Sequence, residues 1–524
     1  MPGEAHSSLL ARVWKDAGSS FWARVIVGAA ILLLPAIING FPFWFYDTAG
    51  YHLVGRSIVT HLAEMLAHAD APAPAPVDGG GGSVSAQPDQ NASLTYAGGR
   101  SPFYSLFLFL SSALGSYWFA TIAQALVASW LISTSLRVLG RASLRDFLVV
   151  IGAMTAFTAL PFFAAQLMPD VLTGFVFMAI VLIFVGGETI GAIERWALVL
   201  VIAATAVSHQ TNLPLGLLLI VLALIAGRLL RLPQRAMLKR AGVASIGLAA
   251  AVAANAAYAL ATKAVLGESA GNPPYLMARV LADGPGRLYL RDVCAPTPRF
   301  EICRYADRSF TDVNGFLWSP DPRVGVYMLA EVDSRRRLMA EERSFVIGVV
   351  THYPLEQLAA SSGNALRQLV HVGVRPELEL ARHSWVQMHF NELSPSDDAR
   401  ARASLAFRGA FPFRVIDSID GAAIVLAIAF LLWRLTRSDV RASFRSAPDA
   451  EAEARRALAL IAACLALWLA ANAVLCGVFS GVFDRYQARA IWIAPMLALL
   501  TLLRIGAALP VSVSRTSTAA APRS

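Results

Sequence analysis

Long apolar runs alternate with short basic stretches along most of the chain. A helix needs about 20 apolar residues to cross roughly 30 Å of hydrocarbon, and Lys and Arg mark the ends that stay cytoplasmic. The first run, Trp22 to Phe41, follows Arg12, Lys15 and Arg24, so it leads outward into the aromatic belt Trp44, Phe45 and Tyr46. It is too long for a signal peptide and lacks a small-residue cleavage site. Within Pro102 to Val138, Pro102 to Leu114 reads as a juxtamembrane or re-entrant helix. Tyr117 to Leu136 is then the crossing, with Arg137, Arg141 and Arg145 inside. Further crossings are Phe147 to Gln166, Val171 to Val185, Ala197 to Val207 and Leu213 to Ala226, the last reaching the basic cluster Arg228, Arg231, Arg235, Lys239 and Arg240. Residues 242–262 go out, 418–433 re-enter, 457–478 go out and 488–507 return. The pattern predicts an all-α polytopic membrane protein of about ten transmembrane helices, with both termini cytoplasmic, interfacial helices in the first external loop and a large mixed external segment.

The same pattern divides the chain into a core, 1–265, with its first external loop at 42–101, and an external segment, 266–412. C-terminal helices at 413–510 and a cytoplasmic tail at 511–524 complete it. The Pro/Ala- then Gly/Ser-rich stretch 69–93 reads as a flexible external linker. No internal repeat is visible, which counts against the inverted-repeat plan of many transporters.

Composition agrees with this class: 56% of the 524 residues are hydrophobic and 15% charged, with a mean hydropathy of +0.56. The net charge of +9 sits in the inner loops, so it marks topology and calls for no nucleic acid. Cys464 and Cys476 lie in an apolar span, whereas Cys294 and Cys303 are close together in the external segment. In an oxidising compartment the latter either close a small disulfide loop or remain two thiols. No spacing suits zinc.

The orientation puts Asp47, Asp170, His209, Asn212, Lys263 and Arg485 at one outer face, on different helices. Ionisable groups at membrane depth are costly, so their convergence predicts a site. Asp47 precedes an amphipathic stretch in which Tyr51, Val54, Ile58, Leu62 and Met65 recur every three or four residues, with His52, Arg56 and His61 off that stripe. It is either the N-cap of that helix or a catalytic base, and one carboxylate can be both. Asp170 is likewise either a cap or a second carboxylate for acceptor or metal. His209 and Asn212 either satisfy broken backbone near Pro214 or line the site. Arg485 either pairs with Asp484, snorkels, or binds a phosphate bidentately. The stretch 344–373 is either a lid over the site or part of a subdomain with no catalytic share.

The segments FYDTAGY, GGRSPFYSLFLF, LMPDVLTGF, SHQTNLPLG and RYQARAIWIAP together resemble the GT-C superfamily. These are integral membrane glycosyltransferases that use polyprenyl-phosphate sugars, among them protein O-mannosyltransferases and the lipid A aminoarabinose transferase. The resemblance covers roughly 20–265 and the last two spans. It implies Asp47 as general base, Asp170 as the residue arranging acceptor or metal, and Arg485, Arg100 and Lys263 as donor-phosphate ligands. Tyr51, His52, Arg56, His209, Asn212 and Tyr486 would form the donor and acceptor pocket. The donor would be a polyprenyl-phosphate sugar, the acceptor a glycan, lipid or protein, and the location the bacterial inner membrane with the site facing the periplasm. Here the first motif lacks a second adjacent acid, and no Asp-x-Asp or Glu-x-Asp follows at the second loop, so no metal ligand set is assigned; a divalent cation stays open. The implied reaction is an inverting single displacement. A lipid-linked glycan polymerase or ligase, and a transporter or flippase, are the alternative classes.

Overall fold

The computed structural model describes residues 21–68, 99–266, 272–295, 298–379, 394–444 and 450–508. The expected linker 69–93, the flanking Arg12 and Lys15, and the tail 511–524 lie outside them. Among the described residues the chain is helical throughout, with one isolated β-bridge between Phe43 and Gln166. The principal helices are α1 (Phe21–Leu32), α2 (Tyr46–His68), α3 (Pro102–Ala113), α4 (Trp118–Val138), α5 (Leu144–Phe157), α6 (Leu172–Val185), α7 (Ala192–Ser208) and α8 (Asn212–Leu229). They continue as α9 (Gln234–Leu266), α10 (Tyr275–Asp283), α11 (Val332–His352), α12 (Pro354–Val370), α13 (Phe413–Thr436), α14 (Ala450–Phe479), α15 (Arg485–Ile491) and α16 (Ile493–Ala508).

Six helical stretches among the described residues are long and apolar enough to cross a bilayer: α4, α8, α9, α13, α14 and the run Arg485–Arg504 through α15 and α16. Phe21–Leu32, Pro102–Ala113 and Pro169–Val185 are apolar but shorter. Two of the ten expected crossings are interrupted by proline, which lacks the N–H a continuing helix needs. Pro35 opens the short helix Leu34–Asn39 after α1, and Pro161 opens Leu160–Ala164 after α5. At the second break the Ala159 N–H is taken by Asp420 Oδ1 of α13, at 3.1 Å. A backbone donor freed at this depth needs such a partner. Only 17% of the apolar window of α13 is buried against protein, and Val425 and Leu426 point outward. So large an exposed apolar face is at home in lipid, and this is a membrane protein.

Between α9 and α13 the chain has a second core, built on residues such as Leu281, Phe316, Leu338 and Phe345. Cys294 and Cys303 are disulfide-bonded there, with Cα atoms 5.5 Å apart. The segment docks through α12, whose Asn364 main chain lies over Gly477 of α14 so closely that a Cβ would have to displace it. Gln368 donates to Phe483 O at 2.8 Å and accepts from Phe483 N–H at 3.0 Å. The stretch 344–373 is therefore the end of α11 and an anchoring helix.

Candidate functional site

Two loops are stitched together beneath the site. Phe43 N–H donates to Ala165 O at 2.9 Å and Leu167 N–H to Phe43 O at 3.0 Å. Gln124 of α4 donates to Ala164 O and Gln166 O. This bridge brings the start of α2, with Asp47, beside the Pro169–Val171 turn, with Asp170.

Asp47 lies in the first turn of α2. The cap is made by Thr48, whose Oγ1 accepts from Phe45 N–H at 3.0 Å and donates to Leu167 O at 3.2 Å. The carboxylate of Asp47 turns instead to two guanidinium groups. Oδ1 accepts from Arg100 Nη2 at 2.8 Å, and Oδ2 lies 3.7 Å from Arg485 Nη1. Charge-assisted bonds of this kind are stronger than one backbone N–H, which explains why the cap expected at Asp47 is absent. Arg100 reaches it because Ser101 caps α3 and donates to Val207 O at 2.7 Å, fixing the entry of the chain. Gly50 matters equally, since a Cβ there would collide with the Arg100 guanidinium. Arg485 stacks over Phe45 and Tyr486, at 4.5 and 5.0 Å.

Burial alone would raise the Asp47 pKa, but Arg100 and then Arg485 outweigh it and hold the carboxyl below its ordinary value. The side chain nevertheless keeps 33% of its area open to the lumen of the cavity.

Below it lies a second pair. Asp170 Oδ1 accepts from Arg489 Nη1 at 3.0 Å, with side-chain exposures of 2% and 0%. Arg489 Nη1 also donates to His209 Nε2 at 2.7 Å, and Nη2 to Thr211 Oγ1 at 3.1 Å. A permanently charged guanidinium can only donate, so Nε2 accepts, while Nδ1 lies 2.8 Å from Thr211 Oγ1 and 3.3 Å from Thr211 N. Asp170 is thus no cap either: its charge is matched by a buried arginine. Asp170 Oδ2 and Arg489 Nε are left without a protein partner.

Arg489 did not emerge from the sequence as a site residue, although RYQAR carried the signal. Arginines four apart share one helix face, so Arg485 and Arg489 stack one turn above the other.

Asp47, Arg100, Arg485, Asp170, His209, Tyr51 and Tyr486 all line one cavity of about 1070 Å³. Four expected site residues do not. His52 is buried and bonded to the Tyr117 hydroxyl at 2.8 Å. Burial, then Arg56, push its imidazole down to about 4, with Asp397 opposing. Arg56 faces outward on α2, one turn beyond His52. Asn212 is fully buried behind the site and donates to Thr205 O at 2.9 Å, closing the break between α7 and α8. Lys263 is exposed on α9. It follows Asn255, which does line the cavity, by eight residues, a rotation of about 80° and a climb of about 12 Å. No residue of 344–373 lines the cavity, so that stretch is not its lid.

No family model matches the chain, and no curated protein or solved structure matches it significantly. The site must be judged by its own chemistry. Among the described residues no three His, Cys, Asp or Glu side chains are grouped to hold a metal. Asp47 and Asp170, the two carboxylates at this end of the cavity, are each held by arginine, so this donor set does not fit a divalent cation, and no step below is routed through one.

Proposed function

We propose that this protein is a membrane glycosyltransferase of the GT-C kind, using a polyprenyl-phosphate sugar at the outer face of a bacterial inner membrane through about ten crossings. The observation that carries this reading is a half-open carboxylate held between two arginines, in a cavity flanked by apolar helices. A base needs an accessible lone pair, and a departing phosphate needs bidentate cationic donors. Here the two functions share one contact.

Arg485 and Arg100 turn from Asp47 to the donor phosphate when it enters, which neutralises the phosphate and frees the carboxylate. Asp47 then takes the proton of an acceptor hydroxyl. The acceptor oxygen bonds to the anomeric carbon as the bond to phosphate breaks, with inversion, and polyprenyl phosphate leaves with its charge matched by arginine. General-base assistance contributes about 10²- to 10⁴-fold, and fixed cations at the leaving group add to it. Asp170 and Arg489 hold the floor and touch no reacting atom.

The test is transfer of labelled sugar from a polyprenyl-phosphate donor by purified wild type and Asp47→Asn. Wild type transfers, and the variant is slower by about 10²- to 10⁴-fold. Undiminished transfer by Asp47→Asn would remove the base. Failure of wild type with every such donor would favour the polymerase or transporter classes.

A further inference from the structure

We propose that the roof of the cavity is a binding site for a neutral oligosaccharide. Naming that ligand as the acceptor rests on the glycosyltransferase reading; its binding does not.

The cavity has two chemically distinct ends. Among the described residues its only arginines, Arg100 and Arg485, lie around Asp47 at the end away from the roof, and no lysine lines it. The roof comes from the external segment, from residues 272–276 and 311–324. There Tyr275 and Trp318 are both half-buried, with ring centroids 6.4 Å apart and planes at 64°. Trp318 is braced from behind by Tyr327, at 6.2 Å and 90°. Two rings fixed at such an angle form a corner that accepts the C–H faces of a pyranose or furanose ring.

The polar groups around this corner complete the recognition. Among the described residues the Tyr275 hydroxyl, the Trp318 indole N–H and the side-chain amides of Asn272 and Asn314 have no hydrogen-bond partner. These are neutral donors and acceptors, suited to hydroxyl groups. The two carboxylates nearby are already committed. Asp312 accepts from Gly315 N–H at 2.7 Å, and Glu342 accepts from Leu276 N–H at 2.7 Å and Met277 N–H at 3.2 Å. Neither offers a cation to an anionic ligand at the roof. A phosphorylated lipid or an acidic peptide would meet acids where it needs cations.

The corner is also beside the chemistry. Gly99, at φ +70°, immediately precedes Arg100, and a Cβ on it would stand 3.2 Å from the Tyr275 ring. A sugar seated on Tyr275 is therefore a neighbour of the Arg100–Asp47 pair, with a hydroxyl presented to the floor.

The experiment measures binding at equilibrium, without donor, to the full-length protein in nanodiscs. The probes are mannotriose, maltotriose and arabinotriose, against trigalacturonic acid and a Ser/Thr-rich nonapeptide. At least one neutral trisaccharide binds with Kd below about 10 mM, and Trp318→Ala weakens it about tenfold while Trp318→Phe restores most of the loss. If Trp318→Ala does not fold, Asn272→Ala and Asn314→Ala at exposed positions serve, each weakening binding about threefold. Absence of binding by every neutral probe, indifference to these substitutions, or a preference for the acidic sugar or the peptide would overturn the proposal. Neutral-sugar binding without any transfer by wild type would leave this site standing and remove the glycosyltransferase reading instead.

Discussion

The cavity contains the same ionic chemistry twice, at two depths. Asp47 meets Arg100 and Arg485 with a third of its side chain open, whereas Asp170 meets Arg489 with almost nothing open. In the first pair solvent and ligand compete for the partners, so the contact is weak and exchangeable. In the second, each charge is tolerable only because the other is there. One pair is open to exchange and the other is sealed, a difference that residue type alone does not reveal.

The contrast is broken most severely from below. Arg489→Ala leaves Asp170 buried and uncompensated, and should lower stability by about 3–5 kcal/mol, read as a drop in the detergent-solubilised melting temperature or failure to recover folded protein. Replacing both, Arg489→Met with Asp170→Leu, should recover most of that loss. Asp47→Asn in the same assay should change stability by about 1 kcal/mol or less. Equal losses at the two sites would erase the distinction.

Much of this was legible in the sequence, and what was not has a physical reason. Asp47, Asp170, His209 and Arg485 were visible because a charge or polar break at the mouth of an apolar run is costly. Arg489 was hidden by the same logic: inside RYQARAIWIAP an arginine near a helix end reads as snorkelling, and only its partner 319 residues earlier shows otherwise. Lys263 was misplaced because sidedness says which end of a helix a residue occupies and nothing about which way it faces. The breaks at Pro35 and Pro161 were written in the chain, but whether a proline kinks or ends a helix depends on partners such as Asp420, which local sequence cannot supply.

A smaller effect sharpens the upper pair. Gly50→Ala forces the Arg100 guanidinium off Asp47, and Arg100→Gln removes it outright. Either loses a cation that holds the carboxyl low while burial still pushes it up, so the Asp47 pKa rises. The acid limb of kcat/KM should then move to higher pH in both variants. An unmoved limb would mean that Asp47 is not the titrating base.

The smallest effect lies on the far face of α2. His52 is held near 4 against about 6.5 when unfolded, so between those values the unfolded chain binds a proton that the folded chain does not. Stability therefore falls as pH drops from about 6.5 towards 4 and is unaffected above 7. His52→Gln, which retains an acceptor for Tyr117, should flatten that acid slope of melting temperature without altering transfer.

The position of α15 near the end of the sequence bears on how the protein is made. Asp47, Arg100 and Asp170 leave the ribosome hundreds of residues before Arg485 and Arg489 exist. Throughout that interval Asp170 lacks the Arg489 guanidinium that it meets in the folded protein. Both acids thus gain their α15 arginines at a single late moment of biosynthesis, when the last helical pair enters.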